Sequence, residues 1–406
     1  MSKARARRAE PAEGASDHRA AVVASFLGWM LDAFDFFLLV MCLTAIGREF
    51  HKSDAEMAVT LSVTLAFRPV GAFIFGLMAD RYGRRLPFIL VLVFYSVMEV
   101  LSGLAPNYAS FVALRALFGI GMGGEWGVGA SLAMEKTPPR LRGLISGILQ
   151  QGYSAGYLLA ALCYFLLFSR VGWRPLFFLG GAPALLALFV GFRVKESEVW
   201  EKTRHQDWRD VGRAVLSNWK LFLYIAALMT GMNLASHGTQ DLFPTLLERT
   251  WHFDPAARAT LTAFSMVGAV CGGTLFGLMS DRWGRRRAMV VGLLAAVPAV
   301  PLWTFAPSVA WLYVGSFAIQ FLVQGAWGVT PAHLAELSPD SLRGFLPGFG
   351  YQCGVALASA APYLEAVIAK RAGYATAMAE VAACVFVLAA ALAAAGRERK
   401  AVKFGE

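Results

Sequence analysis

This chain repeats itself at an offset of 201 residues, and the repeated pieces are charged, glycine-rich turns set between long apolar runs. The segment from Gly76 to Arg85 reads GLMADRYGRR, and that from Gly277 to Arg286 reads GLMSDRWGRR. Glu135 to Gly143 (EKTPPRLRG) lies over Glu336 to Gly344 (ELSPDSLRG), and Trp126-Gly127 over Trp327-Gly328, at the same offset. Two like halves in the same order form a parallel repeat. In a membrane chain such halves face each other across a central site that opens alternately to the two sides.

Composition fixes the solvent. Hydrophobic residues make up 57% of the chain and charged residues 16%, with a mean hydropathy of +0.54, whereas a soluble domain is about 25% charged. Apolar runs of about 20 residues, the length that crosses a hydrocarbon core, fall near 20–47, 56–78, 86–104, 109–135, 141–168, 172–193, 219–247, 256–279, 287–305, 308–337, 342–369 and 374–396. The expected fold is all-α: twelve transmembrane spans as two six-helix bundles related by the parallel repeat. The expected division is a basic N-terminus (1–19), a first bundle (20–193), a charged linker (194–218), a second bundle (219–396) and a C-terminus (397–406).

Lysine and arginine placement predicts the orientation. Of 37 such residues, 27 fall in the termini and the loops on their side, eight in the opposite loops, and Arg68 and Arg115 inside apolar runs. The positive-inside rule then puts both termini and the linker in the cytoplasm. The basic stretch 1–19 has no apolar run of its own, so no cleavable signal peptide is expected. The net charge of +10 is accounted for by a basic face against anionic lipid, without nucleic acid. Cys42, Cys163, Cys271, Cys353 and Cys384 lie in apolar spans without metal-ligand spacing and are expected to be buried free thiols. A Walker-type phosphate loop, a dinucleotide fingerprint and a nucleophile elbow are all missing from the sequence. The expectation is a non-enzyme without cofactor or metal, driven by an ion gradient.

Gly76, Asp80, Arg81, Gly83, Arg84 and Arg85, their copies Gly277, Asp281, Arg282, Gly284, Arg285 and Arg286, and Arg115 with Gly119, Gly121 and Gly123 strongly resemble the major facilitator superfamily of secondary transporters, over nearly everything from 20 to 396. The loops can also be read without the family. A carboxylate at a helix end with arginines in the next turn can pair locally and with the facing half, latching the cytoplasmic side shut. Asp80, Arg84, Arg85, Asp281, Arg285 and Arg286 form this gate, with Glu135–Arg142 and Glu336–Arg343 as a second tier. Stop-transfer charge alone would not repeat acid and base together.

From Asn233 the seventh span reads NLASHGTQDLFPT, which puts Asn233, Ser236, His237, Gln240 and Asp241 on one helical face. Such a face cannot point at lipid without a cost of several kcal/mol, so it lines a cavity or pairs with another helix. The stretch resembles the N-x-x-[S/T]-H-x-[S/T]-Q-D-x-x-x-T signature of lactate and pyruvate proton symporters, with Asn233, Ser236, His237, Thr239, Gln240, Asp241 and Thr245 at the fixed positions. GGEWG, from Gly123 to Gly127, is similar to the related sialate symporters.

Shifting Asn233 and Ser236 back by 201 lands on Asp32 and Asp35, while Glu125 maps to Ala326 and Arg115 to Ser316. The latches repeat; the ionisable core does not. Proton handling is therefore expected to lean on the first half, at Asp32, Asp35, Glu125 and Arg115, with Asp241 of the seventh span as a further candidate, because an acid held at low dielectric can carry a proton. Glu125 can instead be the fixed partner of Arg115 or Arg68. Arg68 lies eight residues before Gly76, about 12 Å inside the span at about 1.5 Å per residue. Its fork suits a carboxylate, either an internal acid or the substrate, and the resembling lactate permeases likewise place an essential arginine on this span. Gln151 and Gln352, 201 apart, are candidate neutral donors. These readings predict a monomeric inner-membrane proton symporter for a short monocarboxylate, lactate or pyruvate. Other organic acids are the alternative substrates, and a non-transporting sensor is the alternative from another class.

Overall fold

The computed structural model describes residues 2–204, 207–359 and 361–405, and among them the regular structure is helical. The expected spans are all present. Spans 1 to 5 are Ser2–Glu49, Asp54–Tyr82, Arg85–Gly103, Tyr108–Lys136 and Arg142–Val171. Span 6 is broken into Trp173–Leu179 and Ala182–Arg193. Two short helices, Glu198–Thr203 and Trp208–Ser217, cross between the halves. Span 7 is Trp219–Gln240 followed by Phe243–Arg249, and spans 8 to 10 are Pro255–Trp283, Arg285–Thr304 and Val309–Leu337. Span 11 divides into Leu346–Ala358 and Ala361–Ala372, and span 12 is Tyr374–Ala395.

Among the described residues, nine spans are individually long and apolar enough to cross a bilayer, and the bent segment through span 7 makes a tenth. The two that fall short are span 4, diluted by glycines and charges, and span 11, which is broken; protein rather than lipid surrounds much of both.

Local chemistry sets the ends. Ser53 and Asn107 cap spans 2 and 4 reciprocally with Glu56 and Ser110, and Asp254 caps span 8 ahead of Pro255. Spans 2 and 8 stop at Gly83 and Gly284, whose φ of +99° and +102° lie where only glycine is unstrained. The next helix then begins immediately, which explains why the charged turn needs its glycine.

Packing repeats as the sequence does. Span 2 packs on 4 as 8 packs on 10, 1 on 5 as 7 on 11, and 3 on 6 as 9 on 12. Gly71 lets span 2 lie against the Ile120 backbone, and Gly272, 201 residues later, lets span 8 lie against the Phe321 backbone. The halves meet through span 5 on span 8 and span 2 on the first segment of span 11, whereas the second segment of span 11 packs on spans 7 and 12. The N-terminal end of span 1, the linker and the C-terminal tail share one face, since Asp17 contacts Lys136 and Lys195, and Val402 contacts Arg142. This is called the termini face below. All five cysteines are free, but Cys271 and Cys384 are exposed and Cys163 and Cys353 half-buried, leaving only Cys42 as the buried thiol expected of all five. An apolar span in a bilayer has no need to bury its thiol.

Candidate functional site

The two charged turns meet the opposite half at the termini face. Asp80 accepts hydrogen bonds from the backbone N–H of Gly344 (2.8 Å) and Phe345 (3.0 Å), just ahead of span 11. Asp281 accepts from Gly143 (2.9 Å) and Leu144 (3.1 Å) at the start of span 5. Each aspartate therefore caps a helix of the other half, where orphan N–H groups and the helix dipole both favour negative charge. Arg84 holds Asp80 at 2.6 Å and Glu135 at 2.9 Å, all three side chains fully buried. Arg285 repeats this with Asp281 at 2.7 Å and Glu336 at 2.8 Å.

The second tier differs from the sequence expectation. Arg142 lies 3.6 Å from Glu336, and Arg343 lies 3.4 Å from Glu135, so the pairs cross between halves instead of closing within each half. The reason is that Glu135 and Glu336 are already forked by the arginine of their own half, and the helix starts carrying Arg142 and Arg343 are drawn across by Asp281 and Asp80. Arg85 and Arg286 also depart from expectation. They donate to the carbonyls of Gly191 and Gly396 in their own halves and so brace spans 3 and 9 rather than bridge the gate. Sequence reading passed over Glu196 and Glu398. Their carboxylates accept from the backbone N–H of Arg84 and Arg85, and of Arg285 and Arg286. They are 202 residues apart, one out of register with the repeat, which hid them.

Deeper in the first half lies a cluster of acids. Asp32, Asp35 and Glu125 are fully buried, and none of their carboxylate oxygens has a hydrogen-bond partner among the described residues. The Glu125 carboxylate sits against Gly28, one helical turn from Asp32, so spans 1 and 4 bring the two acids to one interface. Glu125 pairs with neither Arg115 nor Arg68 among the described residues, and Arg115 is taken elsewhere. Its partner is Glu99 at 2.6 Å, with Ser102 Oγ at 2.7 Å and the Phe118 ring 4.4 Å away. Glu99 was missed although an acid inside the apolar run 86–104 is itself a signal. Its side chain and that of Asp35 converge on Gly180 at the break in span 6.

Arg68 is buried at mid-span, with Nε and Nη2 unpaired among the described residues and its guanidinium 6.0 Å from the Tyr351 ring. The carboxylates expected to hold it leave those two nitrogens free. Around it, aromatic rings from both halves meet. Trp126 and Tyr351 approach to 4.6 Å, Trp29 and Tyr153 to 5.6 Å, and Trp327 and Tyr351 to 5.8 Å. The repeated Trp126 and Trp327 marked this place in the sequence, but Trp29, Tyr153 and Tyr351 come from non-equivalent positions and left no pattern.

The polar stripe of span 7 divides. His237 and Asp241 pair at 3.1 Å and are about one third exposed, at the end of the long span 7 helix that lies away from the linker. Asn233 is buried and donates to Met229 O at 2.7 Å. Ser236 accepts from Gln324 at 2.9 Å, and Gln240 donates to Gln320 at 2.9 Å, which makes this part of the stripe a seam with span 10. The two candidate donors also reach the facing half: Gln151 lies beside Gly273, and Gln352 donates to Gly123 O at 3.4 Å. The second half is less neutral than its sequence suggested. Glu365, on the second segment of span 11, is buried beside Gly238, and His333 is buried on span 10; among the described residues neither the Glu365 oxygens nor the His333 nitrogens have a partner. No cluster that could hold a metal occurs among the described residues.

Comparison with known proteins places this architecture. The profile described as the Major Facilitator Superfamily matches residues 25–243 and 223–404. A carboxylic acid transporter protein homolog of Saccharomyces cerevisiae is 27% identical over 85% of this chain, which spans only 60% of that relative's length. A probable 4-methylmuconolactone transporter of Cupriavidus pinatubonensis is 29% identical, covering 87% of this chain and 85% of its own. The sialic acid transporter NanX of Escherichia coli K12 is 29% identical, covering 86% and 87%. Among solved structures, the human organic anion transporter MFSD10 superimposes with a TM-score of 0.78 at 18% identity, over 93% of this chain and 99% of its own, a likeness of fold. With both halves matched, this multi-pass membrane chain belongs to the major facilitator superfamily, a family of transporters and not of enzymes, and one that works without a cofactor.

Proposed function

We propose that the protein is a proton-coupled symporter for a small organic acid, working by alternating access in a bacterial inner membrane with the termini face in the cytoplasm. The observation that carries this reading is Arg68, a buried guanidinium with two unpaired nitrogens at mid-span, near the interface of the two halves. A guanidinium there calls for a carboxylate, and an arriving substrate carboxylate meets that need. The relatives named for a carboxylic acid and for sialic acid support an organic acid as cargo. The unpaired Asp32 and Glu125 supply proton sites within the same membrane layer, so that a proton and an anion enter together.

Two substrate shapes are distinguishable. The span 7 stripe resembles the lactate and pyruvate symporters and favours a short monocarboxylate. The rings of Trp126 and Tyr351 beside Arg68 favour a flat, unsaturated acid, which would stack on them. Uptake of labelled lactate and labelled benzoate into proteoliposomes, each competed by lactate, pyruvate, acetate, benzoate and sialate, separates the two. Accumulation driven by an imposed pH gradient and abolished by a protonophore is the expected result. Uptake that ignores the gradient removes proton coupling, and no uptake of any acid removes the reading.

A further inference from the structure

We infer that the C-terminal segment Ala401–Gly405 is a working part of the gate: Phe404 is a wedge between the halves that holds the termini face shut and must withdraw for it to open. The inference rests on the alternating-access reading above. Arg142 from the first half and Arg343 from the second cross near one point to reach Glu336 and Glu135. Two guanidiniums meeting there repel each other. The Phe404 ring stands between them, its centroid 3.4 Å from the Arg142 guanidinium carbon and 3.6 Å from that of Arg343. An aromatic ring carries negative potential on both faces, so one ring can attract a cation on each side. Phe404 also packs against the small apolar cluster of Ala133, Leu149, Ala332 and Ala335, which is built from both halves.

The backbone of the segment fastens the ring in place. Arg142 donates to Val402 O, Ala401 N–H donates to Glu336 at 3.2 Å, and Gly405 N–H donates to Asp340 at 2.8 Å. The segment continues from span 12, so it travels with the second half, yet it holds Arg142 of the first half by both its ring and its backbone. Separation of the halves at this face pulls Arg142 away from Arg343, and one ring cannot follow both. Opening therefore breaks the Phe404 contacts, which are specific to the closed face.

The test uses the full chain with its five native cysteines replaced and a reporter cysteine at Ala332, buried beneath Phe404, or at Tyr157, exposed on span 5 away from the gate. Rates of reaction with a small water-soluble thiol reagent report each position. Phe404→Ala is expected to speed the Ala332 reporter by about tenfold, the size of one charged aromatic contact with its packing, and to slow the Tyr157 reporter. A generally loosened protein would speed both. Phe404→Tyr should behave as wild type, and Phe404→Leu, which keeps bulk without the ring, should behave as Phe404→Ala. Asp80→Asn serves as the control that opens the gate. If Asp80→Asn speeds the Ala332 reporter and Phe404→Ala does not, the wedge is overturned while the gate stands. If Phe404→Leu behaves as wild type, the cation contacts are overturned. If neither Asp80→Asn nor Phe404→Ala moves the reporter, the gate reading itself fails.

Discussion

The two halves of this molecule agree at the termini face and disagree at mid-membrane. At the face, Asp80, Arg84 and Glu135 are matched residue for residue by Asp281, Arg285 and Glu336. Inside, the first half buries Asp32, Asp35, Glu99 and Glu125 with Arg68 and Arg115, while the second offers an amide seam of Gln240, Gln320 and Gln324, with Glu365 and His333 apart from it. Gln320 and Gln324 stand where the first half has Gly119 and Gly123. A gate must close symmetrically because each half grips the other. On the proton-symport proposal, a cargo and a proton are unlike objects and need unlike walls.

The largest effect should come from breaking the symmetric part. Removing one partner of a buried ion pair costs about 3–5 kcal/mol because a charge is left bare. Arg84→Ala takes the nearest cation from both Asp80 and Glu135, leaving Glu135 the longer contact to Arg343, and Arg285→Ala takes it from Asp281 and Glu336, leaving Glu336 the longer contact to Arg142. Thermal unfolding in detergent is expected to fall steeply for both, and somewhat less for Arg285→Ala because Asp281 is 9% exposed and can recruit water, whereas Asp80 is sealed. Equal and negligible losses would mean that the gate contributes nothing to the closed state.

The asymmetric part is tested by neutralisation. Exchange of substrate across the membrane needs no net proton cycle, but uphill accumulation does. Among Asp32→Asn, Asp35→Asn, Glu99→Gln and Glu125→Gln, at least one should exchange substrate and fail to accumulate it under a pH gradient. Glu365→Gln and His333→Gln should still accumulate. The opposite outcome would move the proton route into the second half. On the same first-half wall, Arg68→Lys keeps the charge but loses the fork, and uptake should drop about tenfold or more, as expected for one charged hydrogen bond. Unchanged uptake at equal membrane abundance would remove Arg68 from the site.

What could be read from the sequence follows the same division. The repeated architecture was legible, because a 201-residue offset with apolar runs between charged turns leaves one fold. The partners within the gate were harder. Sequence proximity suggested Glu135 with Arg142, but a helix end reaching over the interface exchanges near neighbours for far ones. Glu99 and Glu365 escaped because each is a lone acid without a repeated counterpart, 201 residues from a residue of another kind. The aromatic cluster escaped for a geometric reason: its rings come from spans 1, 4, 5, 10 and 11, and only the fold brings them together.

The smallest effect should appear in the amide seam, and its sign can decide what the span 7 stripe is for. Gln240 and Gln320 hydrogen-bond each other at 2.9 Å, part-buried between spans 7 and 10. Gln240→Leu leaves the side-chain oxygen of Gln320 without its donor, while the Gln320 amide nitrogen keeps Thr239 Oγ1 at 3.3 Å, at a cost of about 1–3 kcal/mol. Replacing both partners by apolar groups of similar shape is close to neutral for a purely structural pair. Gln240→Leu should therefore lower thermal stability modestly, and the double Gln240→Leu/Gln320→Leu variant should restore it. Uptake is the second readout. If the seam only packs helices, uptake recovers with stability in the double variant. If Gln240 also touches cargo, stability recovers and uptake does not. The expected result is the latter, with an apparent affinity reduced several-fold, because the exposed His237 lies one turn before Gln240 and its partner Asp241 directly after it. Full recovery of uptake would leave the second half as a neutral wall and confine recognition to Arg68 and the rings beside it.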